Sequence, residues 1–163
     1  MANKFFYPDD YVDSILNINY ERLYELGIRG LIFDIDNTIV PYNTFEIPDS
    51  ILNLFENLIA KKFMICFLSN NKKKRVMHFC QLFNIHGFHT ALKPTPFGFF
   101  KAVKYLNLPK SELAIIGDQI FTDVICGRLQ NIYTVLVDPI VERTDFINKF
   151  KRNLERIILS KKK

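Results

Sequence analysis

No apolar run in the 163-residue sequence reaches the roughly 18–20 residues needed to span a bilayer, so helical membrane spans are not expected. The opening residues, MANKFFYPDDYVDS, meet proline and acidic side chains too early to read as a secretory signal. Cysteine is scarce. Cys66, Cys80 and Cys126 stand in unrelated settings, with no CxxC pair and no Cys/His cluster of zinc spacing. A disulfide framework is therefore not expected, and reduced thiols in a cytoplasm are. His86 and His89, in HGFH, read as turn or surface residues.

What is present is ordinary for a globular chain. An apolar content of 48% and a charged content of 24% argue against wholesale disorder, and the length suits one domain with a proper core. Without internal repeat, low-complexity tract or linker, the expectation is a single domain over 1–163. It divides into an N-terminal extension (1–27), a core (28–139) and a basic amphipathic helix (142–160). The net charge of +5 is concentrated at Lys72, Lys73, Lys74 and Arg75 and again from Lys149 to Lys163. Such clusters invite anionic partners (lipid headgroups, nucleic acid, phosphorylated metabolites), although any one of them is as well explained by a solvated helix face.

Strand-like and helix-like patterns alternate along the chain. IRGLIFD (28–34), FMICFLS (63–69), ELAIIGD (112–118) and YTVLVDP (133–139) are short apolar runs, with a weaker strand near FHTAL (88–92). Helical periodicity marks 49–62, 73–84, 95–107 and 120–131; the third of these opens on proline, as helices often do. Continuous apolar strands between amphipathic helices predict a three-layer, doubly wound α/β domain with a parallel sheet covered on both faces.

In such sheets ligands bind beyond the carboxyl ends of the strands, and those ends are chemically loaded here. The first carries Asp34-Ile35-Asp36-Asn37-Thr38, the second Ser69-Asn70-Asn71, the fourth Gly117-Asp118, and Lys93 leaves the weak third strand. Caps and turns explain any one of these, but not several acids gathered with a lysine. Strand alternation puts Asp34 and Asp36 on one side, facing one cavity, with Ile35 turned away. Adding Asp118 brings like charges together, which a hard divalent cation such as Mg²⁺ would neutralise. One aspartate could then attack phosphorus while the other moves a proton, with Ser69 and Lys93 holding the phosphoryl oxygens.

These residues, in this order, resemble the haloacid dehalogenase-like (HAD) phosphohydrolase superfamily. DIDNT matches its first motif, FLSNN supplies the serine of the second, LKPTP the lysine of the third, and GDQIFTD the acidic fourth. The resemblance implies that Asp34 is the nucleophile, forming an aspartyl-phosphate, and Asp36 the general acid/base. It implies Mg²⁺ held by Asp34, Asp118 and the Asp36 backbone carbonyl. Thr38, Ser69, Asn70 and Lys93 would bind substrate phosphate, and Asp123 would orient Lys93 or a metal-bound water. Neither gap between motifs holds a large cap domain, which implies an open site.

YPDDYVDSILNI, GIRGLIFDIDNTIVPY, KPTPFGF and GDQIFTDV are closer still to the YqeG-type subfamily IIIA phosphatases, whose relatives include phosphatidylglycerophosphate phosphatases. That implies a lipid-linked phosphomonoester and peripheral contact with an anionic membrane from the cytoplasmic side. The C-terminal stretch places Phe146, Phe150, Leu154, Ile157 and Ile158 along one helical face among basic residues, a pattern that suits a lipid interface. Docking of that helix on its own domain is the expectation favoured here. A soluble phosphatase for nucleotides or sugar phosphates is the alternative enzyme. A non-catalytic scaffold is a third reading, opposed by the complete set of acids and lysine. No nucleic-acid-binding motif is present.

Overall fold

The computed structural model describes residues 4–142, 153–158 and 160. Among these, six strands form one wholly parallel sheet: β1 (Asp10–Val12), β2 (Gly30–Phe33), β3 (Met64–Leu68), β4 (Gly87–Phe88), β5 (Leu113–Gly117) and β6 (Tyr133–Val137). Their spatial order is β1-β6-β5-β2-β3-β4. The helices are α1 (Tyr20–Glu25), α2 (Asp49–Ala60), α3 (Lys73–Phe83), α4 (Pro96–Leu106) and α5 (Ile125–Gln130). The expected α/β architecture is the one observed.

Period-two alternation sorts the strand side chains into two layers. Leu31, Phe33, Ile65, Phe67, Ala114 and Ile116 join Phe55, Phe79 and Phe83 in one core. Ile32, Cys66, Leu68, Leu113 and Ile115 join Phe99, Ala102, Leu106 and Cys126 in the other. Both faces of β2 and β5 are therefore buried, which is why these strands read as unbroken apolar runs. In the first core the Phe55 ring lies 5.0 Å from Phe33 and 4.7 Å from Phe83. Asn84, Asn107 and Asn131 each end a helix with φ of 52°, 51° and 56°, a left-handed conformation that asparagine adopts more readily than most residues.

Several sequence expectations need correction. The segment 1–27 is more than an extension, because Asp10–Val12 pairs with β6 and adds an edge strand to the sheet. The strand expected over 88–92 is confined to Gly87–Phe88. Thr90 (φ 50°) and Leu92 (φ 56°) are left-handed, and the chain folds back so that Thr90 and Ala91 donate to the carbonyls of Asn71 and Ser69. The helix expected over 120–131 opens with a wide π-turn, Ile120–Val124, before α5. Of the C-terminal helix, Phe146 and Phe150 lie outside the described residues. In the described part, buried Glu155 accepts the Ile120 N–H at 2.8 Å and Ile158 packs against Ile120, Val124 and Leu136. Leu154 and Ile157 are exposed, whereas Ile158 is half-buried.

The chain runs from β2 outward through β3 and β4, then returns to β5 on the other side of β2 and continues to β6. The switch in direction thus falls between β2 and β5. Open α/β sheets form their ligand crevice at this place, outside the carboxyl ends of the two strands.

Candidate active site

Asp34 follows β2 directly, and its N–H donates to the Ile116 carbonyl of β5 at 2.9 Å. The strand stops there. The N–H groups of Thr38, Ile39 and Val40 all turn back to the Ile35 carbonyl, and Asn37 sits at φ 64°. Asn37 holds this loop to the segment after β6, with its amide donating to the Val141 carbonyl at 3.0 Å.

The carboxylates of Asp34, Asp118 and Asp123 approach one another with oxygens all within 4.8 Å, and all three residues are buried. Lys93 is buried among them, its Nζ donating to Asp34 at 2.7 Å and to Asp123 at 2.6 Å. Burial alone would lower the lysine's proton affinity, but Asp123 and Asp34 outweigh it and hold the ammonium above its ordinary range. Asp34 moves the other way. Burial, opposed by Lys93 and reinforced by Asp123 and Asp118, pushes its carboxyl up to about 8. One lysine does not balance three acids. An oxygen-only donor set carrying this excess of negative charge fits a hard divalent cation.

Asp123 is fixed from several directions. It accepts the Gln119 N–H and the Thr122 hydroxyl, each at 3.2 Å, as well as Lys93. Its carboxyl packs on Gly117, where a Cβ would stand 2.2 Å from the carboxyl carbon; only glycine leaves that room. Ser69, 1% exposed, accepts the Asn71 N–H at 3.1 Å. The Asn70 side chain takes both ends of the Lys93 backbone, accepting its N–H at 2.7 Å and donating to its carbonyl at 3.1 Å. Its amide therefore holds the lysine loop against β3. The Thr38 hydroxyl is buried with no hydrogen-bond partner among the described residues.

Asp36 departs from the alternation argument. Because β2 ends at Phe33, Asp34 and Asp36 are not successive strand positions, and their side chains take different partners. Asp36 accepts Arg75 Nε at 2.6 Å and the Asn71 amide at 2.9 Å, and the three clustered carboxylates do not include it. Arg75, which the sequence left equally plausible as a helix-surface residue, is 8% exposed. Its two remaining nitrogens donate to the carbonyls of Thr44 at 2.7 Å and Pro41 at 2.9 Å, in the loop after β2. The signal was in the periodicity of α3. Arg75, Phe79 and Phe83 are spaced four apart on the buried face. A charge on such a face needs a buried acid.

A family model described as mitochondrial PGP phosphatase matches residues 1–142. The chain is 36% identical over 160 residues to "Probable phosphatase YqeG" of Bacillus subtilis, covering 98% of this chain and 93% of that protein. It is 27% identical to the chloroplastic/mitochondrial phosphatidylglycerophosphate phosphatase 1 of Arabidopsis thaliana, covering 97% of this chain but 48% of the longer relative. Among solved structures, the magnesium-bound HAD-hydrolase YfnB of Bacillus subtilis aligns with a TM-score of 0.59 at 12% identity, over 74% of this chain and 91% of that one. The cobalt-bound deoxy-D-mannose-octulosonate 8-phosphate phosphatase of Haemophilus influenzae aligns at 0.51 and 16%, over 83% and 89%. At these identities the two structures establish the fold.

Proposed function

Because the chain belongs to the mitochondrial PGP phosphatase family and is a phosphatase of HAD fold, we propose that it hydrolyses phosphomonoesters through an aspartyl-phosphate on Asp34, with phosphatidylglycerophosphate as substrate. The whole chain, 1–163, is read as one catalytic domain. The observation that carries the mechanism is the single buried lysine shared by acids that outnumber it.

An Asp34 oxygen attacks phosphorus as the ester P–O bond breaks, and Asp36 delivers a proton to the departing alcohol oxygen. Asp36 then takes a proton from water, whose oxygen attacks the phosphorus of the acyl phosphate, freeing orthophosphate and restoring Asp34. Lys93 and Ser69 hold the phosphoryl oxygens, and Thr38 offers its unpaired hydroxyl to the same group. Asn70 and Asp123 hold Lys93 in place. Mg²⁺, held by Asp34, Asp118 and the Asp36 carbonyl, would screen the phosphoryl charge and permit ionised Asp34 to approach it.

Support for a lipid substrate comes from the rim of the cleft as well as from relatives. Leu92 and Phe97, 58% and 70% exposed, flank the loop that delivers Lys93. Across the β3 end stand Lys72, Lys73 and Lys74, the last two sharing a groove with Phe45, Met77 and His78. Exposed apolar tips beside a basic cluster suit peripheral contact with an anionic membrane, here the cytoplasmic side of the inner membrane. Among the described residues no helix is long and apolar enough to cross a membrane.

Phosphate release with Mg²⁺ from phosphatidylglycerophosphate in mixed micelles, compared with a soluble aryl phosphate, tests this reading. Preference for the lipid, abolished by Asp34→Asn, is the expected result. Turnover of the aryl ester alone would keep the phosphatase and reject the lipid in favour of a small soluble ester.

A further inference from the structure

The Arg75 guanidinium connects three things that the reaction requires to keep station. Its Nε donates to Asp36 at 2.6 Å, while its terminal nitrogens donate to the carbonyls of Thr44 and Pro41 at 2.7 and 2.9 Å. The Phe45 and Phe79 rings flank it, with centroids 5.0 Å from the guanidinium carbon. Phe45 belongs to the loop after β2 and packs against α3 through His78, at 5.0 Å, and Phe79, at 6.2 Å. The second Asp36 oxygen accepts the Asn71 amide, so both oxygens are held from the β3–α3 junction.

We infer that Arg75 is a positioning residue that fixes the Asp36 carboxylate and the 41–45 loop as one unit, and so sets proton delivery to the leaving group. This rests on the reading of Asp36 as the acid. The argument is one of valence. A guanidinium presents its donors in a rigid planar fork, so one buried side chain can bind a carboxylate and two carbonyls at fixed angles. Lysine carries its charge at a single point and cannot reproduce that fork. The three Arg75 nitrogens donate to Asp36, Thr44 and Pro41, while the carboxylates of Asp34 and Asp123, which would face phosphorus and its oxygens, take Lys93. The influence of Arg75 on the reaction therefore passes through Asp36 and the loop.

Action through a general acid has a signature that a structural role lacks. Proton delivery matters most when the departing oxygen is a poor leaving group, and matters little for 4-nitrophenolate. Removing the positioning residue should therefore slow alkyl phosphates more than activated aryl phosphates. It should also cost nothing further once the acid is gone.

The experiment measures kcat and KM of the full chain with Mg²⁺ on 4-nitrophenyl phosphate and on an alkyl phosphate, for wild type, Arg75→Met, Arg75→Lys, Asp36→Asn and Asp36→Asn/Arg75→Met. Expected for Arg75→Met is a loss on the order of 10- to 100-fold in kcat/KM on the alkyl ester, a part of the roughly 10²–10⁴-fold that a positioned general acid supplies. In kcat/KM, which reports the leaving-group step, the loss on the aryl ester should be several-fold smaller; kcat also carries hydrolysis of the aspartyl-phosphate, which is the same for both esters. Arg75→Lys, which retains a buried cation for Asp36, should fold even if the methionine variant does not, and should show the same leaving-group bias at smaller size. In the Asp36→Asn background, Arg75→Met should add less than about twofold. Equal losses in kcat/KM on both esters, or a full additional loss in that background, would overturn the inference. An Asp36→Asn variant without leaving-group bias would instead overturn the assignment of Asp36 as the acid.

Discussion

Replacing the nucleophile should make the metal-free protein more stable while destroying its activity. Asp34 is buried beside Asp118 and Asp123, and its carboxyl is pushed up to about 8 from the ordinary 3.8. Below about pH 4 the carboxyl is protonated in folded and unfolded chains alike. Between about 4 and 8 the unfolded chain has released a proton that the folded chain retains, so stability falls as pH rises; above about 8 the whole penalty is present. At roughly 1.4 kcal/mol per unit, the gap from 3.8 to about 8 sets a ceiling of about 6 kcal/mol. Water entering a metal-free cleft relaxes much of that, leaving an expected gain of about 1–3 kcal/mol for Asp34→Asn at pH 9. For a chain of this size the gain is a rise of roughly 3–10 °C in Tm. Thermal unfolding of both proteins in EDTA at pH 5 and pH 9 measures it. The two curves should lie close together at pH 5 and separate at pH 9, with the variant higher. Added Mg²⁺ should raise wild type more than the variant. A variant that melts at or below wild type at pH 9 would refute the picture of an under-neutralised acid cluster.

Gly117→Ala tests the packing behind the lysine. Its Cβ would stand 2.2 Å from the Asp123 carboxyl carbon and 2.4 Å from one oxygen, so Asp123 must shift and Lys93 with it. A fall in kcat on the order of 10²-fold is expected from a displacement of this size, read by steady-state kinetics beside a thermal melt. Wild-type kcat would mean that the Asp123–Lys93 contact is dispensable. Leu92→Ser/Phe97→Ser removes the exposed apolar tips and should weaken co-sedimentation with anionic vesicles at low salt. It should also lower lipid turnover relative to aryl phosphate turnover. Unchanged co-sedimentation would move the contact to another surface.

Much of this molecule was legible in the chain because its strongest signals are local. β2, β3, β5 and β6 are short, nearly continuous apolar runs, and the loaded residues of the site follow the ends of β2, β3 and β5. What escaped depends on distant partners or on where a strand stops. Asp-Tyr-Val at 10–12 is too short to carry a pattern, and becomes a strand only because β6 offers an edge. Alternation failed for Asp36 because β2 ends before it, after which a left-handed Asn37 redirects the chain. Asn70 looked like a phosphate ligand from its place beside Ser69, whereas its amide is spent on the Lys93 backbone. Arg75 was readable from helical spacing, but only by asking why a charge lies in line with Phe79 and Phe83.

The two outer strands have a consequence for how copies of this chain meet. β1 spans three residues and β4 two, so the sheet margins expose very little unpaired backbone. A neighbouring chain has no template along which to add a strand, and edge-to-edge growth into fibrils is discouraged by shortness alone. Crowding on a lipid surface, or high concentration in solution, would bring side chains together instead. Assemblies of that kind respond to salt and detergent and come apart again.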